Sequence, residues 1–469
     1  IDALSDADVY RLNQMMFRAA YDGDGVYEEE GDTVLVARDR VDALDKEARR
    51  IGWKGWVDRL RKMGSYHAPD HKKESNFNKP VLNAWRLVGE EGDAVARVVR
   101  NPYYYKVDSE GNQLPYVDMI LIEKTTDVNT RQGKMRAGKV GFQSRDVVFK
   151  DYTYLKQFEK SGDYRVLLWA NDYVGELTFY MQQDNESPVL RKLFGDWRFH
   201  HALSHALDRK QMIEVIWRGM GRPAQWSVPE GSKYYVKELA EAAVEYDPEK
   251  ANLLLDEMFE EFGWDRKSPD GKRMYLDESG QWKVLTIDVN SDEAHELLAV
   301  EMAVHYWQRV GLNVQMQIRA ANYINRLASL GKNEIGVHIE GGNFFGPLLA
   351  GYMAPTHPAE CPQWPLWAAW IRSGGIDGQE PPERVKQLEL IWTRVIEAPN
   401  EQAQLDAWRE LSLRTAHILP TLGIMTSPGK VVYVHNSFRN VPDLALAGWG
   451  AHEPANCCPE AFYIVPGDH

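Results

Sequence analysis

The stretch KVLTIDVNSDEAHELLAVEMAVHYWQRVGLNVQMQI, residues 283–318, decides the fold class. Residues 283–289 have the apolar, β-branched composition of a strand, and residues 290–293 resemble a capping box that begins a helix. Apolar positions then recur at helical spacing over 297–310, Gly311 ends the helix, and residues 312–318 return as a strand. The stretch therefore predicts a β-α-β unit.

The flanking sequence extends this pattern. A helix over 323–330 leads into a strand over 334–339, and two crossovers in succession imply a mainly parallel sheet with helices beside it. Upstream, alternating segments predict strands at 95–100, 117–124, 164–170 and 176–182. Further helices are predicted at 196–217, 248–262, 382–397 and 401–417, before a last strand at 430–434. The fold class is α/β, with mixed sheets flanked by helices.

Length, composition and charge narrow the function classes. The 469 residues are 44% hydrophobic and carry a formal net charge of -14, which is typical of a globular protein with more than one lobe. No basic stripe occurs, so nucleic acid and anionic membranes are not expected partners. The N-terminus has no signal-peptide features, but the first residue is Ile1, and we expect that a preceding segment has been removed.

Three cysteines, Cys361, Cys457 and Cys458, are too few for a disulfide scaffold or a zinc pattern. Two alternatives stay open. Cys361 forms a bridge with one of the adjacent pair, or all three are free, buried thiols.

The sequence contains no pattern that indicates catalysis. There is no Gly-x-Ser-x-Gly, no His-Glu-x-x-His, no phosphate loop and no complete dinucleotide fingerprint. His201 and His205 are spaced i, i+4 on a predicted helix, but no carboxylate or thiol nearby completes a metal site. We therefore predict no catalytic residue, no metal and no cofactor, and interpret these histidines as structural.

A resemblance begins at RNPYYYKVD, residues 100–108, and continues at GNQLPYVD, residues 111–118. It recurs in order at 134–143, at DWRFHHALSHALDR over 196–209, at 246–251, and near the C-terminus at 439–442 and 459–463. In these motifs the chain resembles the family 5 solute-binding proteins of peptide-type ABC importers. The resemblance covers about residue 80 to the C-terminus.

This resemblance implies a two-lobed, type II periplasmic-binding-protein fold of the cluster C kind, which closes on its ligand. Lobe one would combine residues 76–190 with 431–469, and lobe two would be 191–430. Residues 1–75 would be a charged, helical remnant of a small subdomain, and the chain would be N-terminally incomplete. The family also implies a periplasmic or extracellular monomer that works with ABC importer permease subunits, with a lipid anchor on a preceding segment as one alternative.

The candidate ligand site follows the strand predicted at 334–339. Ligands bind beyond the carboxyl ends of strands in open α/β sheets, and two glycines there would admit a close backbone approach. Aromatic residues follow, and the resemblance places the same segment at the cleft. The predicted ligand-binding residues are Glu340, Gly341, Gly342, Asn343, Phe344, Tyr352, His357, Trp364 and Trp367, with Gln143 and Arg145 from the opposite lobe.

Several alternatives to this site stay open. Trp364, Trp367 and Trp370 are spaced i, i+3, i+6, and such a stripe also suits a helix packed into a core. Glu340 would also suit a solvated loop, and Gly341 and Gly342 would also suit a simple turn.

The ligand class rests on the segments 364–383 and 111–118, which are similar to the branch of the family that includes oligosaccharide binders. Sixteen tryptophans suit sugar stacking, so an oligosaccharide is preferred over a peptide. A secreted glycan hydrolase is the rival from another class, and a scaffold role is a third alternative.

Overall fold

A computed structural model of the chain describes residues 45–50, 52–55, 58, 81–88, 95–125, 127–145, 147, 149–172, 174–264, 266–275, 280–290, 294–338, 344–347, 350–448 and 450–465. The chain divides into two compact units, residues 1–128 with 460–463, and residues 129–459 with 464–469. Residues 45–50 are helical. The remainder of residues 1–75, predicted as a charged, helical remnant, lies almost entirely outside the described residues.

The strands have the following bounds: β1 Trp85–Val88, β2 Val95–Arg100, β3 Met119–Glu123, β4 Phe142–Gln143, β5 Tyr164–Asn171, β6 Thr178–Met181, β7 Leu285–Asn290, β8 Val314–Arg319, β9 Ile335–His338, β10 Thr421–Gly423, β11 Lys430–His435, β12 Phe438–Arg439, β13 Leu446–Ala447 and β14 Tyr463–Ile464.

The helices are α1 Val128–Arg136, α2 Phe149–Gln157, α3 Pro188–Phe194, α4 Trp197–Ala206, α5 Arg209–Trp217, α6 Lys237–Ala240, α7 Pro248–Glu261, α8 Ala294–Arg309, α9 Ala321–Ser329, α10 Pro365–Arg372, α11 Glu383–Ile396 and α12 Glu401–Ile418.

The described part of the first unit contains a three-stranded antiparallel sheet in the order β1-β2-β3. All five residues of the edge strand β3 are exposed, although four of them are apolar. The loop after β2 is fixed by Glu460, whose carboxylate accepts hydrogen bonds from Tyr104 Oη at 3.0 Å and Lys106 Nζ at 2.6 Å. This carboxylate is nearly buried, so the C-terminal residues 460–463 are an integral part of the unit.

The predicted β-α-β unit is present as β7, α8 and β8. The two strands pair in parallel, Leu285 opposite Val314, and α8 packs on both. Trp307 of α8 is fully buried and donates from Nε1 to the carbonyl of Leu203 at 3.0 Å. Gly311 ends the helix with a φ of +79°, as its position predicted. Most of the predicted capping box, residues 291–293, lies outside the described residues.

The larger sheet of the second unit has the order β10-β6-β9-β7-β8. The prediction of a mainly parallel sheet is only partly right. β7 is parallel to both β8 and β9, but β6 is antiparallel to β9 and β10. The two antiparallel pairs arise because β6 and β10 come from chain segments outside the β-α-β units, where no crossover helix fixes their direction.

A four-stranded sheet in the order β13-β5-β11-β4 forms the other layer of the second unit. The chain leaves this sheet after β5 to enter the five-stranded sheet at β6, and it returns from β10 to β11. We call residues 172–177 and 424–429 the crossing segments. The division into lobes at 76–190 with 431–469, and at 191–430, stays a prediction. Strand β6 lies in the larger sheet. A lobe boundary at the first crossing segment would therefore follow the strand pairing better than a boundary at residue 190.

Two large hydrophobic clusters lie in the second unit. One surrounds the five-stranded sheet and helices α4, α5, α7 and α8, and the other joins helices α10 to α12 with residues 226–239 and 350–354. Cys361 is buried in the second cluster. All three cysteines are free thiols, so the bridge of the first alternative is not formed. The second alternative is right for Cys361, which is buried, but wrong for Cys458, which is exposed. No described helix is long and apolar enough to cross a membrane.

Candidate functional site

The exit of β9 is the place at which the ligand site was predicted. β9 lies in the middle of the five-stranded sheet, between β6 and β7. Glu340, Gly341, Gly342 and Asn343 follow it directly but lie outside the described residues, so their role in binding stays a prediction. The described chain resumes at Phe344.

Phe344 lies where three chain segments meet. Its backbone N–H donates to the carbonyl of Asp172, the residue that follows β5, and its carbonyl accepts a hydrogen bond from Ser232 Oγ. Its ring lies 5.7 Å from the ring of Phe345, which is 45% exposed. The end of β5, the exit of β9 and the loop containing Ser232 therefore form one junction, which we call the cleft junction.

The loop from Arg222 to Val236 lies beside the second crossing segment. Ala224 N donates to the carbonyl of Ile424 at 3.3 Å, and Thr426 N donates to the carbonyl of Arg222 at 2.9 Å. Trp226 of this loop is buried, and its Nε1 finds no acceptor among the described residues. No pattern in the sequence marks this loop, because irregular segments carry no periodic signal.

Two of the predicted contacts are placed near this loop. Tyr352 is 6% exposed, and its ring lies 5.5 Å from that of Trp226. His357 is half-buried, and its backbone carbonyl accepts a hydrogen bond from Cys361. Tyr352 is thus part of a packed aromatic pair, and its contact with a ligand stays a prediction, as does that of His357.

Trp364 and Trp367 pack into the protein. Trp364 has no exposed surface and Trp367 is 4% exposed, and the two rings are stacked 6.5 Å apart. Asp184 holds this region, because its carboxylate caps α10 by accepting from the backbone N–H of Leu366 at 2.6 Å and of Trp367 at 3.3 Å. Trp364 and Trp367 are therefore buried, as the alternative interpretation of their spacing expects, whereas Trp370 is half-buried. A ligand contact of Trp364 and Trp367 stays a prediction.

The small exposed part of Trp367 faces a groove of about 490 Å³. The groove is lined by Gln183, Arg191, Trp367, Gln379, Glu380, Pro381, Pro382 and Arg384. Arg384 lies over the Trp367 ring at 5.6 Å and donates to Gln183 Oε1 at 3.0 Å. Phe344 is not among the residues that line this groove.

Gln143 and Arg145, predicted from the opposite lobe, lie on and just after β4. Gln143 Nε2 donates to the carbonyl of Arg145 at 2.5 Å. The Arg145 guanidinium is 45% exposed and pairs with Glu453 at 3.3 Å. Glu453 is fully buried and also pairs with Lys430 at 3.1 Å. We call Arg145, Lys430 and Glu453 the cleft cluster.

The cleft cluster is connected to the cleft junction through Asp172. Glu453 Oε2 accepts from Gly448 N at 2.8 Å, and a side chain at Gly448 would overlap the carboxylate of Asp172. That carboxylate is buried and accepts from Ala451 N at 2.8 Å. Arg145 and Phe344 are therefore held by one continuous set of contacts, which sequence reasoning missed because Asp172 and Glu453 lie 281 positions apart.

Metal binding has no support in the described part of the chain, where no three His, Cys, Asp or Glu side chains gather closely enough to hold an ion. His205 is buried, and its Nδ1 is 3.2 Å from the carbonyl of Glu245. Burial lowers the pKa of both His201 and His205. The His201 ring contacts the carbonyl of His417 in α12 at 2.9 Å, and the His205 ring lies against the segment before α7.

The family is decided by a match between residues 57–353 and the family model described as bacterial extracellular solute-binding proteins, family 5 middle. The chain belongs to this family. The match covers more than half of the chain and includes β1 to β9, the first crossing segment and Phe344. The family predicted from the motifs at 100–118 and 196–209 is thereby confirmed.

Among curated relatives, the family 5 chain is 23% identical over 385 residues to the periplasmic alpha-galactoside-binding protein of Rhizobium meliloti (strain 1021), covering 78% of this chain and 52% of that protein. It is 27% identical over 256 residues to the oligopeptide-binding protein AppA of Bacillus subtilis (strain 168), covering 53% of this chain and 41% of that protein. The chain thus spans about half the length of these relatives.

Solved structures show the same fold. An oligopeptide-binding protein OppA matches with a TM-score of 0.64 and 26% identity, over 87% of this chain and 65% of that one. The periplasmic binding protein MelB of Agrobacterium fabrum C58, in complex with stachyose, matches with a TM-score of 0.64 and 18% identity, over 88% and 65%. The α/β, periplasmic-binding-protein-like fold predicted from sequence is confirmed.

Proposed function

We propose that this family 5 chain is the solute-capturing part of an ABC importer and that it binds an oligosaccharide between the two sheets of its second unit. The observation that carries the proposal is the cleft junction, where Phe344 at the exit of β9 bonds to Asp172 at the exit of β5. Both residues follow strands at the place where α/β sheets bind ligands. The crossing segments beside them are the natural hinge for closure around a solute.

The chemistry of the described residues suits a polar solute with apolar faces. The Phe345 ring, 45% exposed, offers a surface on which a pyranose ring stacks. The guanidinium of Arg145 and the amide of Gln143 are donors for hydroxyl groups. The alpha-galactoside-binding relative and the stachyose complex favour a sugar in this family branch.

An oligopeptide is the second candidate ligand. The relatives AppA and OppA are named as oligopeptide-binding proteins, and Arg145 would pair with a peptide carboxylate. Arg145 already has Glu453 as an ion-pair partner, and that carboxylate also pairs with Lys430, so a peptide carboxylate would have to share the Arg145 guanidinium with Glu453.

A glycan hydrolase is disfavoured by the state of the carboxylates at the site. Hydrolysis needs two carboxyl groups that face one glycosidic bond. Those of Asp172, Glu176 and Glu453 each accept a hydrogen bond from the protein itself. These groups hold the protein together and suit capture without turnover.

We place this family 5 chain outside the cytoplasm. There it would act as a monomer that delivers its solute to permease subunits. A lipid anchor on a preceding segment would keep it near them.

A binding panel tests the proposal. Thermal unfolding is measured with stachyose, with shorter alpha-galactosides and with a mixture of short peptides. A sugar is expected to raise the unfolding temperature, and a ligand at 100 times its dissociation constant adds about 2.7 kcal/mol of stability. Calorimetry should then give one site without product formation. If only peptides stabilise the protein, the proposed ligand is a peptide and not a sugar. Release of a cleaved sugar would refute the binding role.

Phe345→Ala tests the stacking surface. We expect the affinity for the stabilising sugar to fall about fivefold to tenfold, since an aromatic contact contributes on the order of 1 kcal/mol. Leu444→Ala is the matched control, because Leu444 is also exposed and apolar, at 71%, but lies outside the cleft junction. Equal affinities of the two variants would remove Phe345 from the ligand site.

A further inference from the structure

The crossing segments are joined by backbone pairing at both ends. On one side, β5 and β11 pair with Trp169 opposite Lys430. On the other, β6 and β10 pair with Thr178 opposite Gly423, and Ile424 N donates to the carbonyl of Leu177 at 3.2 Å. Between these pairs, no strand ladder joins the described residues of the two segments, and side-chain hydrogen bonds connect them there.

Ser427 makes the side-chain connection. Its hydroxyl accepts a hydrogen bond from Asn171 Nδ2 and donates to Glu176 Oε1. It also accepts from Gly429 N at 3.2 Å. A hydroxyl has one donor and two acceptor positions, so all of its bonding capacity is used. Asn171 directly precedes the first crossing segment, and Glu176 lies near its other end. The single hydroxyl of Ser427 therefore bonds to residues at both ends of that segment.

The surroundings of Glu176 extend this connection. Burial raises the pKa of its carboxyl, and the hydrogen bond from Ser427 and the charge of Lys430 oppose that rise. Lys430 is also the partner of Glu453 in the cleft cluster. The link between the crossing segments is therefore continuous with the residues that hold Arg145.

We propose that Ser427 is a positioning residue that locks the two crossing segments together, so that the two sheets move about a single, narrow hinge. This inference rests on the proposed function, because a hinge matters only if the sheets close on a solute. Without the hydroxyl the segments would flex separately, and the unliganded protein would sample a wider range of cleft widths. Binding would then have to order the hinge, at a cost in affinity.

Spin-label distances in the unliganded chain test the lock directly. Labels are placed at Lys160→Cys, after α2, and Lys210→Cys, on α5, in a background carrying Cys457→Ser and Cys458→Ser. Cys361 can stay, because burial raises its pKa well above the usual range and keeps it protonated. Double electron–electron resonance should give a distance distribution about twice as wide for Ser427→Ala as for the parent.

Two further variants separate the lock from general stability. Ser427→Thr keeps the hydroxyl and is expected to restore the narrow distribution. Ser412→Ala removes another buried hydroxyl, which bonds within α12 at 2.8 Å, and should leave the width unchanged. Equal widths for the parent and Ser427→Ala would overturn the proposal. If Ser427→Ala does not fold, Asn171→Ala is used instead, because it removes one of the hydrogen bonds to Ser427. A broader distance distribution than that of the parent is then the expected result.

Affinity gives the second readout. With stachyose as the probe, Ser427→Ala is expected to bind about fivefold more weakly than the parent, whereas Ser412→Ala binds equally well. Unchanged affinity together with unchanged width would reject the role of Ser427. If the parent does not bind stachyose or any other solute of the panel, the proposed function fails, while the unliganded distances still decide whether Ser427 locks the segments.

Discussion

Replacing Asp184 with alanine is expected to lower the free energy of unfolding by about 3 to 4 kcal/mol. The Asp184 carboxyl is buried and accepts from the backbone N–H of Leu366 and Trp367, and from Gln182 Nε2 at 3.0 Å. Alanine removes the cap of α10 and leaves the N–H groups of Leu366 and Trp367 without this acceptor, whereas Gln182 Nε2 keeps the carbonyl of Ala328 at 2.6 Å. Denaturant unfolding at pH 6, followed by tryptophan fluorescence, measures the loss.

A cap on the surface provides the comparison. Asn400 caps α12 by accepting from Ala403 N at 2.9 Å, and it is exposed. Asn400→Ala should cost only about 1 kcal/mol, because water replaces the lost acceptor. Equal losses from the two alanine variants would show that burial of the Asp184 cap contributes nothing.

The effect of Asp184 should depend on pH. Burial raises the pKa of its carboxyl from 3.8 to about 7, against the opposing effect of its hydrogen bonds. A raised pKa contributes stability that is fully present below pH 3.8 and is lost as the pH rises through 7. The change amounts to about 4 kcal/mol at most. The stability difference between the native chain and Asp184→Ala is therefore expected to be larger at pH 4.5 than at pH 8.

The buried His200 changes the stability with pH in the opposite direction, but its effect is the same in the native chain and in Asp184→Ala. Burial lowers the pKa of His200 to about 4, so its contribution is present above pH 6.5 and is lost as the pH falls through 4. Both proteins carry His200, and only the difference between them reports on Asp184. A difference that grows with pH would mean that the three donors and the helix N-terminus outweigh burial.

Glu453→Ala is expected to cost about 3 to 5 kcal/mol, the usual loss when one partner of a buried ion pair is removed. Lys430 is only 19% exposed and would lose its pairing carboxylate. Gly448 N would lose its acceptor as well. Chemical denaturation is the measurement. Affinity for the stabilising sugar should also fall, because Arg145 loses the group that positions it.

Two controls accompany this variant. Glu453→Gln retains an acceptor for Gly448 N but removes the charge, so an intermediate loss is expected. Glu410→Ala removes an exposed partner of Arg394 and should change stability little. If Glu453→Ala is no worse than Glu410→Ala, the cleft cluster does not hold its part of the fold.

The features that sequence predicted best are those set by neighbouring residues. The β-α-β unit and the stop at Gly311 both depend on positions a few residues apart. The motifs near residue 100 and residue 200 led to the correct family. The direction of β6 could not be predicted, because it is set by pairing with strands more than 150 positions away.

The candidate site shows the same limit. Phe344 was found because it follows a recognisable strand, whereas its partners Asp172 and Ser232 come from remote segments. The spacing of Trp364 and Trp367 did not distinguish a core helix from a binding platform. Only the packing against Asp184 and the second hydrophobic cluster decides that these rings are buried.

The pairing of β5 with β11 has a consequence for biosynthesis. These strands join residues about 260 positions apart, and everything between them belongs to the other layer or to the crossings. At about 5 to 20 residues per second, the ribosome needs roughly 13 to 50 s to make that stretch. The edge of β5 that pairs with β11 therefore stays unpaired until the residues between these two strands have been synthesised. The smaller sheet is the last to be completed, and its half-made form is the species that chaperones would have to protect.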